Sequence, residues 1–235
     1  GSPNWMINQD LCGGCRGVSA KVTGLDITRG EDIEHSRCAL IVGRNSMIAD
    51  PIEWMALKAA KRRGAHIVVI DPKQTPVTKI ADLWLAPKVG TDAALALAMI
   101  NVLIAEQLHD ANFVHKHCHG FAELAERAAE YPAEIAEQQT GVPAHQIVAA
   151  ARMFADGPSV FVSGHGIDAS SVGVQTFRAF HALAAICGNI DRVGGNLRQH
   201  PPAGLKSNLE ILHQPEFRLD TDTEQQTLGA EQFPL

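Results

Sequence analysis

The chain has 235 residues, of which 46% are hydrophobic, and its formal net charge at pH 7 is −6. This length allows one large domain or two small ones with a substantial buried core. The acidic balance argues against a nucleic-acid partner, and no apolar run reaches the ~18 residues that cross a bilayer, so neither nucleic-acid binding nor direct membrane insertion is expected.

The first half of the chain is predicted to alternate strands and helices after a loop-like start. Residues 1–37 are rich in glycine and predict a loop. The continuous apolar run 38–43 (CALIVG) is typical of a strand buried on both faces, and HIVVIDP and ADLWLAP predict two more strands. Between the first two strands, a helix is predicted to begin after Asp50 as N-cap, with Pro51 at its first position and Glu53 closing a capping box.

The second half is predicted to be mostly helical. Thr91 is expected to cap a long helix that runs to about Gln107, and residues 110–156 predict three helices. PSVFVSG predicts a further buried strand, which the apolar helix SSVGVQTFRAFHALAAICG follows. The tail from residue 198 is rich in Pro, Gly and charge and predicts irregular structure. Strands that alternate with helices indicate an α/β fold with mostly parallel, Rossmann-like sheets flanked by helices.

Polar residues follow the predicted strands at the points where a ligand could bind. In open parallel sheets, ligands bind at the carboxyl ends of the strands, and here these ends carry GRN, DPK and GTD. Arg44, Lys73 and the amides at the start of the Thr91 helix suit phosphate oxygens, and Asp71 suits ribose hydroxyls or a guanine edge. SGHGID repeats the arrangement around His165. Ordinary strand-to-helix turns have the same composition, and neither G-x-G-x-x-G nor a Walker motif is present, so the residues alone leave both interpretations open.

The cysteine pair Cys12 and Cys15 raises the question of what the two sulfurs hold. A zinc site needs about four ligands, and a second Cys-x-x-Cys pair is missing. A redox pair should follow a strand, and an iron–sulfur cluster should have further cysteines at close spacing; neither pattern occurs. HKHCH (115–119) has metal-binding residue types but lies on a predicted helix. Cys38 and Cys187 are predicted to be core hydrophobes, and the odd total of five cysteines fits a reducing compartment better than a disulfide framework.

Several blocks of sequence resemble the dimethyl sulfoxide reductase family of molybdenum and tungsten enzymes. They are GSPN…LC, CALIVGRNSMIADP, GAHIVVIDPKQTPVTKIADLWLAPKVGTDAALALAMINVLI and ICGNIDRVGGNL, and the resemblance extends from residue 1 to about residue 197. It implies a bis-(molybdopterin guanine dinucleotide) cofactor with Mo or W, and a molybdopterin-dependent oxidoreductase that reacts at the metal. The alternatives are a non-redox hydratase of the same family and a cofactor-binding module without activity of its own.

The resemblance also implies roles for individual residues. In this family a cysteine eight residues after the asparagine of GSPN ligates the metal, which selects Cys12 as metal ligand and catalytic residue. Arg16 is the second predicted catalytic residue and is expected to supply positive charge near an anionic cofactor or substrate, and Cys15 receives no role. The residues expected to bind the cofactor follow the strand ends and the later glycine loop: Gly43, Asn45, Ile70, Asp71, Lys73, Gly90, Thr91, Asp92, Gly164 and His165. Lys73 stands where many relatives have Arg, which keeps the charge and loses the bidentate geometry.

The resemblance further predicts one α/β domain inserted in another, partial one. Residues 1–36 would form the metal-ligand loop and part of a discontinuous domain, 37–156 the inserted Rossmann-like dinucleotide-binding domain, 157–197 the return to the first domain, and 198–235 an irregular tail. We expect the chain to be the central fragment of a prokaryotic enzyme, cytoplasmic or periplasmic. Its expected partners are the missing amino- and carboxyl-terminal domains of that enzyme, the first with a [4Fe–4S] cluster, and electron-transfer subunits.

Overall fold

The core of the protein is a sheet of four parallel strands. The structure is a computed structural model that describes residues 12–27 and 30–198. The strands are β1 (Cys38–Val42), β2 (His66–Ile70), β3 (Leu83–Leu85) and β4 (Ser159–Ser163), in the order β3-β2-β1-β4. Every neighbouring pair is parallel, so all four carboxyl ends meet at one edge of the sheet. The α/β fold predicted from the sequence is confirmed.

Ten α-helices flank the sheet in the described residues. They are α1 (Gly14–Thr23), α2 (Ser46–Ala49), α3 (Pro51–Arg62), α4 (Asp92–Ala105), α5 (Ala111–His117), α6 (Phe121–Ala129), α7 (Ala133–Thr140), α8 (Ala144–Ala155), α9 (His165–Asp168) and α10 (Gly173–Ile186). Two short 3₁₀ helices cover Ile33–His35 and Pro76–Lys79. Within the described ranges, no helix has the length and apolar character that a bilayer crossing requires.

The apolar runs of the strands are buried on both faces of the sheet. In β1, Leu40 and Val42 pack towards α4, α8 and α10, whereas Ala39 and Ile41 pack towards α3. This division follows from the two-residue period of a strand, and it explains why β1 has no polar position. Cys38 is fully buried, and this burial raises the pKa of its thiol, as expected of a small core hydrophobe. Cys187, at the end of α10, packs against the same core, and burial raises its pKa to about 12.

Helix α3 begins as predicted, but the capping box is only half formed. The Asp50 carboxylate accepts hydrogen bonds from the backbone N–H groups of Ile52 and Glu53, each at 3.1 Å. Glu53 does not return the bond, because the Asp50 N–H already donates to the Ser46 carbonyl at 2.9 Å. The Glu53 carboxylate instead accepts two hydrogen bonds from the Arg44 guanidinium, both at 2.8 Å.

Four helices were not expected from the sequence: the single turns α2 and α9, and the longer helices α1 and α7. Residues 1–37 do not form a continuous loop, because α1 occupies Gly14–Thr23 and packs along α10. Its glycines lower the helix propensity, and the tertiary contact overrides it. Residues 110–156 form four helices rather than three. The additional helix α7 has few apolar residues and buries mainly small side chains against α4, so its apolar periodicity is weak.

Smaller differences concern the end of α4 and the tail. Thr91 lies at the N-cap position, but its hydroxyl donates to the Lys88 carbonyl at 2.6 Å and does not cap the helix. Helix α4 ends at Ala105, two residues before the predicted end at Gln107. The predicted irregular tail lies outside the described residues from residue 199 onward.

Strand β4 joins two segments that the sequence assigns to different domains. It lies within 157–197, yet it pairs with β1 over its full length, with Cys38 opposite Ser159 and Val42 opposite Ser163. A domain border between residues 156 and 157 would cut this strand pair, so in the described residues the two segments share one sheet. The division of the complete enzyme into domains stays a prediction.

The N-cap of α3 gives a direct test of local stability. Replacing Asp50 by Ala removes the acceptor for two backbone N–H groups, and we expect the free energy of unfolding to fall by about 1 kcal/mol. Asp50→Asn keeps an oxygen at the same position and is the matched control, with a much smaller loss. Denaturant unfolding of the three proteins measures the difference. Equal losses for the Ala and Asn variants would contradict the capping role.

A buried histidine predicts how stability depends on pH. His181 lies between Ser19, Thr23 and Phe161, and burial lowers its pKa from 6.5 to about 4. Between pH 6.5 and about 4, His181 is protonated in the unfolded chain but stays neutral in the folded protein. The free energy of unfolding therefore decreases as the pH falls from 6.5 towards 4. The linkage amounts to about 2 kcal/mol between pH 7 and pH 5. His181→Gln should lose less stability than the wild type over this interval, measured by denaturant unfolding at both pH values; the same loss in both proteins would exclude His181 as the cause.

Candidate active site

The turns after β1 and β4 touch through their glycine backbones. The Gly164 N–H donates to the Val42 carbonyl at 2.9 Å, and the Gly166 N–H donates to the Gly43 carbonyl at 3.2 Å. A Cβ on Gly164 would lie 2.0 Å from the Gly43 carbonyl oxygen, so no other residue fits there. Gly43 itself has a φ of +58°, which favours glycine. Two of the predicted cofactor residues, Gly43 and Gly164, are thus in direct contact.

The same turn is connected to the end of β2. The Gly43 N–H donates to the Ile70 carbonyl at 2.9 Å. The Ile70 side chain is fully buried in the core, so this residue holds the turn in place and offers no side chain at the edge.

Three buried side-chain oxygens near the ends of β1 and β2 have no hydrogen-bond partner among the described residues. They are Asn45 Oδ1, Ser46 Oγ and Thr75 Oγ1. Helix α2, which begins at Ser46, contacts the 3₁₀ helix that follows Thr75. Buried polar groups are nearly always paired, so these three oxygens are unusual, and they have hydrogen-bonding capacity that the described residues do not use. Asn45 was predicted from the sequence, whereas Ser46 and Thr75 were not.

Two carboxyl groups follow β2 and β3 at this edge. The Asp71 carboxylate accepts from the Lys73 N–H at 2.8 Å, and the Asp71 carbonyl accepts from the Trp84 indole N–H at 2.8 Å. Burial raises the pKa of Asp71, although Lys73 opposes the shift. Burial also raises the pKa of Asp92, and the charge of Asp71 adds to that effect, so the two groups interact. Gly90 (φ +84°) makes the turn into α4 that places Asp92 there.

The predicted metal ligand lies beside the predicted glycine loop. Cys12 Sγ is 3.8 Å from Nε2 and 3.9 Å from Nδ1 of His165, although 153 positions separate the two residues. The Arg16 guanidinium reaches the same ring, with Nη2 3.4 Å from His165 Nδ1. The structure therefore brings together Cys12, Arg16 and His165, three residues that the resemblance selects.

Asp168 lies at the centre of this group and was not singled out from the sequence. Its carboxylate is fully buried and forms an ion pair with Arg16, with 2.8 Å between Oδ2 and Nη2. The same Oδ2 lies 3.3 Å from His165 Nδ1, and Oδ1 accepts from the Arg16 backbone N–H at 3.2 Å. The sequence gives little sign of this role for Asp168, because recognising it requires knowing that α1 exists and that Gly13 cannot cap that helix.

Cys15 has a packing position rather than an open one. Its thiol donates to the Asp168 carbonyl at 3.5 Å. A Cβ on Gly173 would come within 2.8 Å of the Cys15 sulfur, so the thiol lies against the start of α10. These contacts distinguish it from Cys12, whose sulfur faces an imidazole.

A self-sufficient metal site is not found in residues 12–27 and 30–198. No group of three or more His, Cys, Asp or Glu side chains there is placed to hold a metal ion. This includes the HKHCH stretch, whose first three residues end α5.

Comparison with known proteins gives consistent matches. The family model described as Molybdopterin oxidoreductase matches residues 3–216. Acetylene hydratase of Syntrophotalea acetylenica is 36% identical over 243 residues, which cover 100% of this chain and 32% of the relative. The alpha subunit of F420-dependent formate dehydrogenase from Methanocaldococcus jannaschii is 35% identical over 185 residues, which cover 75% of this chain and 28% of the relative.

A solved structure matches the whole chain. It is the acetylene hydratase from Pelobacter acetylenicus, with a TM-score of 0.81 and 35% identity, covering 100% of this chain and 32% of that one. The chain therefore spans about a third of the length of these relatives.

The contact between the two glycine turns is testable through a single methyl group. Gly164→Ala would place its Cβ against the Gly43 carbonyl, and we expect a loss of about 1–3 kcal/mol in the free energy of unfolding. Gly17→Ala is the matched control, because nothing lies within 4 Å of its added Cβ and α1 should gain up to ~1 kcal/mol. Chemical denaturation measures both. An unchanged stability of Gly164→Ala would show that the turns do not depend on this contact.

Proposed function

Because the chain belongs to the molybdopterin oxidoreductase family, we propose that it binds a bis-(molybdopterin guanine dinucleotide) cofactor and ligates its Mo or W through Cys12. One observation carries the proposal. The glycine loop 164–166 packs on the Gly43 turn, and its His165 contacts Cys12. A single loop thus links the turn suited to a nucleotide with the thiolate suited to a metal.

The donor atoms fit such a group. A cysteine thiolate is a soft ligand that suits Mo or W already bound by dithiolene sulfurs. Arg16 places positive charge beside it, which favours an anionic cofactor or substrate. Cys12, Arg16 and His165 would therefore form the protein's side of the reaction site.

The nucleotide part would occupy the carboxyl edge of the sheet. The unpaired Oδ1 of Asn45 could accept a hydrogen bond from a ligand, and if the amide were turned over its nitrogen would donate instead. Burial raises the pKa of Asp71 and of the partly buried Asp92, and donors on a guanine base would stabilise their charged forms. Lys73, Gly90 and Thr91 would complete the set, with Lys73 and the amides before α4 near phosphate or ribose oxygens.

The remainder of the enzyme would supply what this chain lacks. The relatives are about three times longer, which supports further domains before and after this segment. A [4Fe–4S] cluster would belong to the preceding domain, and electron-transfer subunits would complete the assembly. The chain in isolation would be inactive.

The reaction itself has two candidates. A bound metal would supply redox or Lewis-acid chemistry, and this chain's residues would hold it and set its charge environment. An oxidoreductase is favoured by the family, which includes formate dehydrogenases. A non-redox hydratase is favoured by the similarity to acetylene hydratase over 100% of the chain, against 75% for the formate dehydrogenase subunit.

Two assays on the complete enzyme separate these candidates. After anaerobic purification, we expect Mo or W together with pterin by elemental and fluorescence analysis. An oxidoreductase reduces an electron acceptor with its substrate, whereas a hydratase converts an alkyne without any acceptor. Absence of metal and pterin would favour a nucleotide-binding module without chemistry and would overturn the proposal.

Cys12→Ser tests the ligand directly. An oxygen ligand replaces sulfur, so we expect a changed X-ray absorption spectrum at the metal edge and an activity loss of at least about tenfold. Cys15→Ser is the matched control, because the Cys15 thiol lies against Asp168 and Gly173. An unchanged spectrum in Cys12→Ser would refute the assignment of the ligand.

A further inference from the structure

Helix α1 begins without a cap of its own. The residue at its N-cap position is Gly13, which has no side chain to accept a hydrogen bond. The first N–H groups of a helix lack partners inside the helix and carry partial positive charge. Cys12 directly precedes this uncapped start, so whatever holds the first turn of α1 also holds Cys12.

Asp168 takes the place of the missing cap from a distant part of the chain. Its Oδ1 accepts from the backbone N–H of Arg16, in the first turn of α1, at 3.2 Å. Its main-chain carbonyl accepts from the Cys15 thiol at 3.5 Å. A carboxylate at a helix N-terminus is favourable, and this one is fully buried and therefore poorly screened by solvent.

The same carboxylate orients the two side chains beside Cys12. Its Oδ2 accepts from Arg16 Nη2 at 2.8 Å and lies 3.3 Å from His165 Nδ1. The Arg16 guanidinium also lies over the Phe177 ring at 5.5 Å, which leaves it little freedom to move. Without the carboxylate, Arg16 would lose its only ion pair among the described residues. Its Nε is already buried without a hydrogen-bond partner, so the guanidinium would then be poorly compensated.

We infer that Asp168 is a positioning residue: its buried carboxylate caps α1 from across the fold and thereby fixes Cys12, with Arg16 and His165, in the geometry that the metal centre requires. The inference rests on the proposed role of Cys12 as the metal ligand. A simpler role is an ion pair that only stabilises the contact between α1 and α9. The two roles differ in what Asp168→Asn does to the metal and to Cys12.

The test uses Asp168→Asn in the complete enzyme. The amide has nearly the same size, so the fold should persist, but the charge that holds Arg16 and complements α1 is lost. We expect kcat to fall by about 10- to 100-fold with a smaller change in KM, and the metal-edge absorption and electron paramagnetic resonance spectra to change. Loss of metal from a folded variant would support the inference equally. The matched control is Asp156→Asn, which breaks the exposed pair with Arg37 and should leave all these values at the wild-type level.

Two outcomes would overturn the inference. In the first, Asp168→Asn melts at a lower temperature but keeps wild-type metal content, spectra and kcat, which is what a purely stabilising ion pair predicts. In the second, iodoacetamide alkylates Cys12 of the metal-free Asp168→Asn protein at the same rate as Cys12 of the metal-free wild type. If Asp168 positions Cys12, we expect the two rates to differ severalfold. The alkylation assay needs no cofactor. It therefore still judges the positioning if the wild-type enzyme lacks metal and pterin and the proposed function fails.

Discussion

The close approach of the Gly43 and Gly164 backbones is the constraint on which the rest of the site depends. β1 and β4 are parallel neighbours, so their chains leave the sheet side by side at the same edge. A side chain at position 164 would meet the Gly43 carbonyl at 2.0 Å, and only glycine lets both turns exist. One turn is tied to β2 through the Ile70 carbonyl, and the other presents His165 to Cys12. These backbone contacts place the loop that carries His165, and with it the contact to the Cys12 sulfur, beside the Gly43 turn.

The carboxyl groups near this edge fall into two kinds. Asp168 is buried, but it accepts from a guanidinium and a helix amide, so its charge is compensated inside the protein. Burial raises the pKa of Asp71, and partial burial together with the charge of Asp71 raises the pKa of Asp92. A buried charge is stable only when it is paired. Asp168 therefore acts within the fold, whereas Asp71 and Asp92 are the carboxyl groups suited to a ligand's donors.

The sequence predicted those parts of the fold that depend on local or periodic patterns. Three of the four strands are five-residue, mostly apolar runs and β3 is a three-residue one, and the Asp50 cap is a contact within three residues, so all of these are visible in the sequence. Helix α1 was missed because its glycines oppose a helix and its stability comes from α10. Glu53 was assigned to a capping box, but Arg44 binds it instead. Asp168 was missed for a related reason: it acts on residues 152 positions away, and no spacing rule describes such a contact.

The choice between redox chemistry and hydration cannot follow from the charge beside Cys12 alone. A hydratase and a formate dehydrogenase subunit are each at least 35% identical to this same segment. Arg16 and His165 both lie against the Asp168 carboxylate, which compensates the positive charge of Arg16, so the charge at this place favours neither reaction. The groups that deliver protons, admit water or conduct electrons then decide the outcome. The chain spans about a third of the length of these relatives, so the residues that distinguish the two reactions need not lie within this segment.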